Sequence, residues 1–264
     1  MRRTVNARIE VDLHDSTDLA FAIAAAAGTP FAEESIRFEL DGAAIEPLEL
    51  VEAPGSRLHA FATGPGVLVA EYEAVADGAA PVPEVSPLDR IVYARPSRYC
   101  QSDALAPVAR ELFASLRGHE LLLAARNWVN GRTAYVSGSS SPTDGALDTF
   151  LARQGVCRDY AHLLIAVLRA LDVPARLVSV FAPGLSPMDF HAVVEALVDD
   201  EWFVLDATGL APRRSMLRIA TGRDAADTAF LTNTLADLDF RSLSVLAIVD
   251  ELPAEDPAEP VQLR

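Results

Sequence analysis

The chain has 264 residues, and half of them are hydrophobic, so it can bury the core of one large domain or of two ordinary ones. Its formal net charge of −16 disfavours nucleic acids and anionic membranes as partners, because their phosphates would be repelled. All 22 basic residues are arginine, so the chain offers no lysine amine to an acyl-transfer reaction.

Targeting and redox signals are sparse. The chain runs from Met1 directly into polar alternation without the apolar core of a signal peptide. Its longest apolar run, Leu19–Ala27, is too short to cross a bilayer. Two cysteines, Cys100 and Cys157, do not make a disulfide framework for a chain of this length. We therefore predict a cytoplasmic protein with free thiols and no membrane anchor.

The first part of the chain alternates between apolar and polar residues, which is typical of half-buried strands. Four segments share this pattern: residues 5–13, 35–40, 57–63 and 67–75. Turn residues such as Asp41-Gly42 separate them. Residues 20–27 are ambiguous, because alanine favours a helix whereas the neighbouring strands favour a buried strand. The pattern predicts an N-terminal antiparallel β domain over residues 1–80.

The spacing of apolar residues changes after a stretch rich in glycine and proline. We predict a linker and connecting segment over residues 81–100. Helical spacing of apolar residues follows at 103–116, 119–129, 148–153 and 157–171. Strands are predicted at 175–181, 191–198 and 201–206. The sequence thus predicts an α+β fold, with a second domain over residues 101–250 in which helices pack against an antiparallel sheet. The acidic, proline-rich residues 251–264 are predicted to be a disordered tail.

Cys157 opens the last predicted helix in a setting that suits thiol chemistry. A thiol must ionise to attack, and the unpaired amides and dipole at the first turn of a helix stabilise a thiolate. Gly155 lets the chain turn sharply into that position. A histidine within reach could form an ion pair with the thiolate, and a carboxylate on the far ring nitrogen would fix the tautomer.

The predicted hairpin supplies such a pair. If residues 199–200 form the turn, Asp206 lies opposite Val193 and becomes a diagonal neighbour of His191 on the same face. A shift of one residue would put the two side chains on opposite faces. The sequence therefore predicts a Cys157–His191–Asp206 triad, although each residue taken alone is more often structural.

Four motifs carry a family signal: Gly155-Val156-Cys157-Arg158-Asp159-Tyr160-Ala161-His162, Val173-Pro174-Ala175-Arg176, His191-Ala192-Val193, and Trp202-Phe203-Val204-Leu205-Asp206-Ala207-Thr208. Together they resemble the transglutaminase-like superfamily of papain-related cysteine enzymes. The resemblance implies a papain-like catalytic domain with Cys157 as nucleophile, His191 as general base and acid, and Asp206 as the orienting carboxylate. Three positions depart from the usual family pattern without touching the triad: Val193, Ala207 and Asp172-Val173.

These features predict attack on an amide of a protein or peptide through an acyl-enzyme, with hydrolysis by a protease or amidase favoured. A protein-glutamine acyltransferase that crosslinks proteins is the alternative within the family. A non-catalytic binding or scaffold protein that retains the fold is the alternative outside it. The five histidines are scattered, so no metal and no cofactor is expected.

Other polar residues near these motifs are predicted to be structural. His162 lies five residues after Cys157, about 500° further round the helix, and is expected to be a hydrogen-bond partner. Arg158 and Asp159 are expected to form an ion pair or a helix cap. Residues 222–227 could line the mouth of the cleft or be buried, and Cys100 is expected to be incidental.

Overall fold

The computed structural model describes residues 1–234 and 236–264. The strands are β1 (Arg2–Leu13), β2 (Thr17–Phe21), β3 (Phe31–Leu40), β4 (Ala43–Ile45), β5 (Leu48–Glu52), β6 (Ser56–Thr63), β7 (Gly66–Asp77), β8 (Ala134–Tyr135), β9 (Gln154–Gly155), β10 (Ala175–Phe181), β11 (Phe190–Val198), β12 (Glu201–Leu205), β13 (Leu217–Gly222), β14 (Leu231–Thr234) and β15 (Leu238–Val249). The helices are α1 (Pro87–Val92), α2 (Ser102–Phe113), α3 (Gly118–Arg132), α4 (Ala146–Ala152) and α5 (Cys157–Arg169), with a 3-10 turn at Arg213–Ser215.

Two antiparallel sheets pack face to face in the first part of the structure. Their strand orders are β15-β1-β7-β3-β4 and β14-β2-β6-β5. The predicted alternation puts Val5, Ala7 and Ile9 of β1 into the core between the sheets, where they meet Phe21 of β2. The predicted α+β fold class is confirmed, since helices and antiparallel sheets form separate layers.

The last two strands belong to these N-terminal sheets. β15 pairs with β1, with Ala7 opposite Val245, and β14 pairs with β2. The sequence interpretation placed residues 231–249 in the second domain, and the structure differs. The two paired strands are more than 200 residues apart in the sequence. Alternation of apolar and polar residues predicts that a segment is a strand, but it does not predict which strand pairs with it.

Two local predictions also differ from the structure. Helix α1 lies inside the predicted linker, and a capping box starts it. The Ser86 hydroxyl accepts from the Asp89 N–H at 3.2 Å, while the Asp89 carboxylate accepts from the Ser86 N–H at 2.9 Å. Residues 22–27 are neither helix nor strand, although they lie largely in the core beyond the end of β2.

The predicted disorder of residues 251–264 is wrong. Val261 is buried, and its carbonyl accepts from the N–H of Val204 in β12 at 2.8 Å. The guanidinium of Arg213 binds the Glu255 carboxylate at 2.5 Å and donates to the carbonyls of residues 256 and 259. An acidic, proline-rich composition suggests disorder, but the guanidinium of one buried arginine donates hydrogen bonds to a carboxylate and two carbonyls of this segment.

The catalytic half of the chain is built around α5. The sheet β12-β11-β10-β13 packs on one side of this helix, and α2, α3 and α4 pack around it. All residues from Asp159 to Arg169 are buried, so α5 is the central helix of this half. No helix in the two described ranges is long and apolar enough to span a bilayer. This packing fixes the N-terminus of α5 beside the β11–β12 hairpin.

The sheet behind α5 encloses a buried ionic cluster. Glu195 of β11 contacts Arg176 of β10 at 2.7 Å and Arg218 of β13 at 2.5 Å, and all three side chains are at least nine-tenths buried. The Arg176 guanidinium lies 3.9 Å from the centre of the Trp202 ring. Trp202 is 1% exposed and is therefore a core residue.

Candidate active site

The N-terminus of α5 is built by a carboxylate cap. Cys157 is the first helical residue and is half-buried. The Asp159 carboxylate accepts from the Val156 N–H at 2.7 Å and from the Ser140 hydroxyl at 2.9 Å. Arg158 donates to the same Ser140 hydroxyl at 2.7 Å. The expected structural role of Asp159 as a helix cap is confirmed, and the cap holds the Cys157 amide at the open end of the helix.

Gly155 is required for this cap. A Cβ at this position would lie 2.6 Å from the Asp159 Cβ, which cannot move without displacing α5. We expect Gly155→Ala to destabilise the fold by about 1–3 kcal/mol and to slow alkylation of Cys157, as measured by denaturant unfolding and iodoacetamide labelling. Gly131→Ala is the matched control, because Gly131 lies in α3 with no atom within 4 Å of the added carbon. That change is expected to be neutral or to stabilise by up to about 1 kcal/mol. Equal effects of the two substitutions would contradict the role of Gly155.

The hairpin has the predicted register. Asp199 and Asp200 both have positive φ, +50° and +65°, as a two-residue type I′ turn requires. Val198 lies opposite Glu201, and the pairing continues to Val194 opposite Leu205. β12 ends there, so the residue expected opposite Val193 lies one position beyond the last pair.

Asp206 reaches the histidine from just past the strand end. Its Oδ2 lies 3.1 Å from Nε2 of His191. Its Oδ1 accepts from the Thr208 N–H at 2.8 Å and from the Thr208 hydroxyl at 2.7 Å. Both His191 and Asp206 are buried, at 1% and 4% exposure. The turn at Thr208, rather than continued strand pairing, therefore aims the carboxylate at the imidazole.

Helix α3 supports this turn in a way that sequence reasoning missed. Arg126 donates to the Asp206 carbonyl at 2.8 Å, and Asn130 donates to the Ala207 carbonyl at 2.8 Å. The two side chains are four residues apart and share one face of the helix. That spacing was visible in the sequence, but nothing local connects it to residues 206–208.

The electrostatics of the pair favour an imidazolium. Burial would lower the pKa of His191, but the charge and hydrogen bond of Asp206, with a contribution from Cys157, raise it to about 10. Burial would raise the pKa of Asp206, and the His191 contact outweighs burial and lowers it. The stabilisation from protonated His191 is complete below its ordinary pKa of 6.5 and is lost as the pH rises through about 10.

Cys157 is the other close neighbour of the ring. It acts on the His191 pKa both as a hydrogen-bond partner and by charge. His191 Nδ1 is buried, and no group within the described ranges meets strict hydrogen-bond geometry with it. With Nε2 committed to Asp206, Nδ1 is the nitrogen left for the thiol. This arrangement can hold a thiolate–imidazolium pair.

The remaining polar residues of the motifs are structural. Nε2 of His162 accepts from the Ala225 N–H at 3.1 Å, as expected of a structural histidine, and burial lowers its pKa to about 3. The Asp224 carboxylate is buried and accepts from the Tyr99 N–H at 2.9 Å, so Asp224 anchors the segment of residues 222–227 to the core. Cys100 is fully buried, and burial raises its pKa to about 12, which keeps it a thiol.

Comparisons with known proteins identify the family and the fold. The sequence pattern described as Transglutaminase-like superfamily matches residues 109–207, a range that contains Cys157, His191 and Asp206. The crystal structure of a candidate cysteine protease from Cytophaga hutchinsonii superposes with a TM-score of 0.88 at 30% identity. That match covers 98% of this chain and 95% of the other.

Curated relatives match over shorter lengths. An uncharacterised protein from Mycobacterium leprae is 24% identical over 160 residues, which is 56% of each chain. An uncharacterised protein from Mycobacterium tuberculosis is 33% identical over 140 residues, 47% of this chain and 44% of that protein. The chain thus spans about half the length of the curated relatives it matches. The Cytophaga structure matches nearly the whole chain at 30% identity and, together with the matched family pattern, shows that this chain belongs to the transglutaminase-like superfamily.

Proposed function

We propose that this protein is a cysteine hydrolase that cleaves amide bonds of a protein or peptide through Cys157, His191 and Asp206. The observation that carries the proposal is the 3.1 Å contact between buried His191 and Asp206, with Cys157 at the start of α5 as the other neighbour of the ring. The description of the Cytophaga protein as a candidate cysteine protease supports hydrolysis over transfer.

In the proposed reaction, the Cys157 sulfur attacks the carbonyl carbon, a C–S bond forms and the carbonyl π electrons move to oxygen. When the C=O bond re-forms, the C–N bond breaks and the protonated His191 gives its proton to the departing nitrogen. Neutral His191 then takes a proton from water, whose oxygen attacks the thioester. Collapse of the second tetrahedral intermediate releases the acid and restores the thiolate. Asp206 stays ionised in every step and stabilises the imidazolium whenever His191 is protonated.

Alkylation of the thiol tests this proposal directly. We expect iodoacetamide at pH 6 to label Cys157 faster than it labels N-acetylcysteine, because the helix terminus and His191 favour the thiolate. Mass spectrometry locates the label, and buried Cys100 is the internal control that should stay unlabelled. A Cys157 rate no greater than that of N-acetylcysteine would contradict the proposal and favour a non-catalytic binding or scaffold protein.

A second measurement separates hydrolysis from crosslinking. The protein is incubated with a glutamine-containing peptide and a labelled primary amine, beside a Cys157→Ala control. We expect peptide hydrolysis without amine incorporation. Incorporation that depends on Cys157 would instead assign a protein-glutamine acyltransferase. Because the chain has no lysine, lysine-mediated crosslinking between its own copies cannot obscure the result.

Two coarser proposals accompany the activity. We propose a cytoplasmic location, which the two unpaired thiols support. We also propose that residues 1–80 and the catalytic half act as distinct units, although they share core contacts such as the Tyr72–Phe181 ring pair at 6.0 Å.

A further inference from the structure

Strand β15 forms the outer edge of the five-stranded sheet. It pairs with β1 on one side, and within residues 1–234 and 236–264 no strand pairs with its other side. β15 is 12 residues long, whereas the other edge strands of the two N-terminal sheets, β4, β5 and β14, have three, five and four residues. An edge strand presents a row of unpaired N–H and C=O groups to which another strand can bind. β15 therefore offers the longest such row in these sheets.

The sequence of β15 does little to protect this edge. Natural edge strands are commonly blocked by charged side chains, by proline or by a bulge. The pairing with β1 is irregular next to Glu10, near one end of β15, and is regular from there to the other end. The regular part, residues 242–249, contains no charged residue and no proline, although 23% of the chain is charged. A strand of another molecule could pair here without meeting a charge.

Large apolar side chains accompany these backbone groups. Leu243, Leu246 and Ile248 are 39%, 40% and 47% exposed. Val245 and Ala247 alternate with them and are buried in the core between the sheets. Single exposed apolar side chains are common, but three of them along one unpaired edge are typical of an interaction site.

The backbone bonds of β15 determine which peptide groups face the free edge. The Asp250 N–H donates to the Arg2 carbonyl at 3.1 Å, in the same register that puts Ile248 opposite Thr4. Peptide groups alternate in direction along an antiparallel pair, so the even-numbered residues from 242 to 250 face β1. Residues 243, 245, 247 and 249 therefore direct their N–H and C=O groups away from β1.

We propose that β15 pairs antiparallel with β15 of a second copy of this chain, so that two five-stranded sheets join across a two-fold axis. The outward peptide groups meet in phase when Leu246 lies opposite its counterpart on the axis. In that register Val245 faces Ala247 of the second copy, and Leu243 faces Val249. Such a contact closes after two copies, because each copy contributes the same edge.

The charges favour a second copy as the occupant. The net charge of −16 makes two copies repel each other in general, but in this register the uncharged residues 242–249 face one another. Ser242 then lies opposite Asp250 of the second copy. Arg241 adjoins Ser242 and lies on the outer face of the sheet, where it binds Asp12 at 2.6 Å. Each copy thus places a guanidinium beside a carboxylate of the other at both ends of the pairing.

Sedimentation of the full chain tests for the dimer. We expect the wild type to sediment with twice the mass of one chain at micromolar concentration. Leu246→Lys should sediment as a monomer, because two ammonium groups would face each other across the axis. The leucine is partly exposed, so the substitution should leave the midpoint of denaturant unfolding nearly unchanged at a concentration where both proteins are monomeric.

Leu48→Lys is the matched control for this substitution. Leu48 is 64% exposed on β5, the edge strand of the other N-terminal sheet, so lysine there should leave the dimer intact. A monomeric wild type would overturn the proposal. A dimer that survives Leu246→Lys, or one that Leu48→Lys dissociates, would place the interface elsewhere and would overturn it as well.

Disulfide trapping tests the register. The variants are made in Cys157→Ala, which removes the half-buried thiol and leaves the buried Cys100. Leu246→Cys should form a disulfide between copies under mild oxidation, because facing residues of a non-hydrogen-bonded pair have Cα atoms about 4.5 Å apart. Ser244→Cys is the control, since its counterpart would lie four residues further along the strand, about 13 Å away. Equal crosslinking of the two variants, or crosslinking of Ser244→Cys alone, would overturn the proposed pairing.

Discussion

Asp206→Asn is expected to lower kcat for acylation by p-nitrophenyl acetate by about 10⁴-fold with the fold intact. This corresponds to a loss of about 5.5 kcal/mol of transition-state stabilisation. The reason lies in the hydrogen bonds of Thr208. Its N–H and hydroxyl both donate to Oδ1 of Asp206, so they would hold the asparagine carbonyl oxygen at that position. The asparagine NH2 would then face Nε2 of His191.

That orientation produces the wrong tautomer. An NH2 group facing Nε2 makes this nitrogen an acceptor, so the proton of neutral His191 moves to Nδ1, the side left for the thiol. A protonated Nδ1 on a neutral ring cannot accept the thiol proton, and no carboxylate remains to stabilise an imidazolium. Both effects act on the same step.

The pH dependence gives an independent readout. In the wild type, His191 should stay protonated until about pH 10. Without Asp206, burial dominates and the pKa of His191 falls, so the basic limb of the activity profile moves to lower pH. Imidazole NMR titration measures this directly. Asp189→Asn is the matched control, because Asp189 interacts with His191 by charge and the substitution leaves the hydrogen bond between His191 and Asp206 in place. An unchanged His191 titration in Asp206→Asn would contradict the assignment.

Glu195→Gln is expected to destabilise the protein by about 3–5 kcal/mol, measured as a lower midpoint of denaturant unfolding. Glutamine keeps the size of the side chain but leaves Arg176 and Arg218 buried without an anion. Burial would raise the pKa of Glu195, yet the two arginines lower it to about 2. The stability from ionised Glu195 is therefore present above its ordinary pKa of 4.5 and is lost as the pH falls towards 2.

Glu71 provides a matched exposed control. It also binds two arginines, Arg8 at 3.0 Å and Arg37 at 2.9 Å, but all three side chains are about one-third exposed or more. Because water solvates these charges, Glu71→Gln should cost less than about 1 kcal/mol. Equal losses for the two substitutions would show that burial does not set the strength of the Glu195 cluster.

Much of the candidate site could be predicted from local patterns. The register of the β11–β12 hairpin followed from two adjacent aspartates that accept positive φ, and this register brought His191 and Asp206 to one side. The start of α5 at Cys157 followed from helical spacing and the preceding glycine. Such features are local, because a turn or a helix start depends on a few neighbouring residues.

Three misses involve distant partners. Arg126 and Asn130 were not linked to the turn after Asp206, since only the folded chain brings α3 beside that turn. The C-terminal residues were expected to be disordered, since only Arg213 shows what holds them. The residues of strand β15 were placed in the second domain, since its partner β1 lies at the other end of the chain.

The sequence by itself determined most of the longer helices and strands, the helix that presents Cys157, and the hairpin that pairs His191 with Asp206. Only the tertiary structure decided which strands complete the N-terminal sheets and how α3 holds the turn after Asp206. Periodicity and turn chemistry act over a few residues, whereas the order of strands and the neighbours of a side chain depend on how remote segments fill a common core.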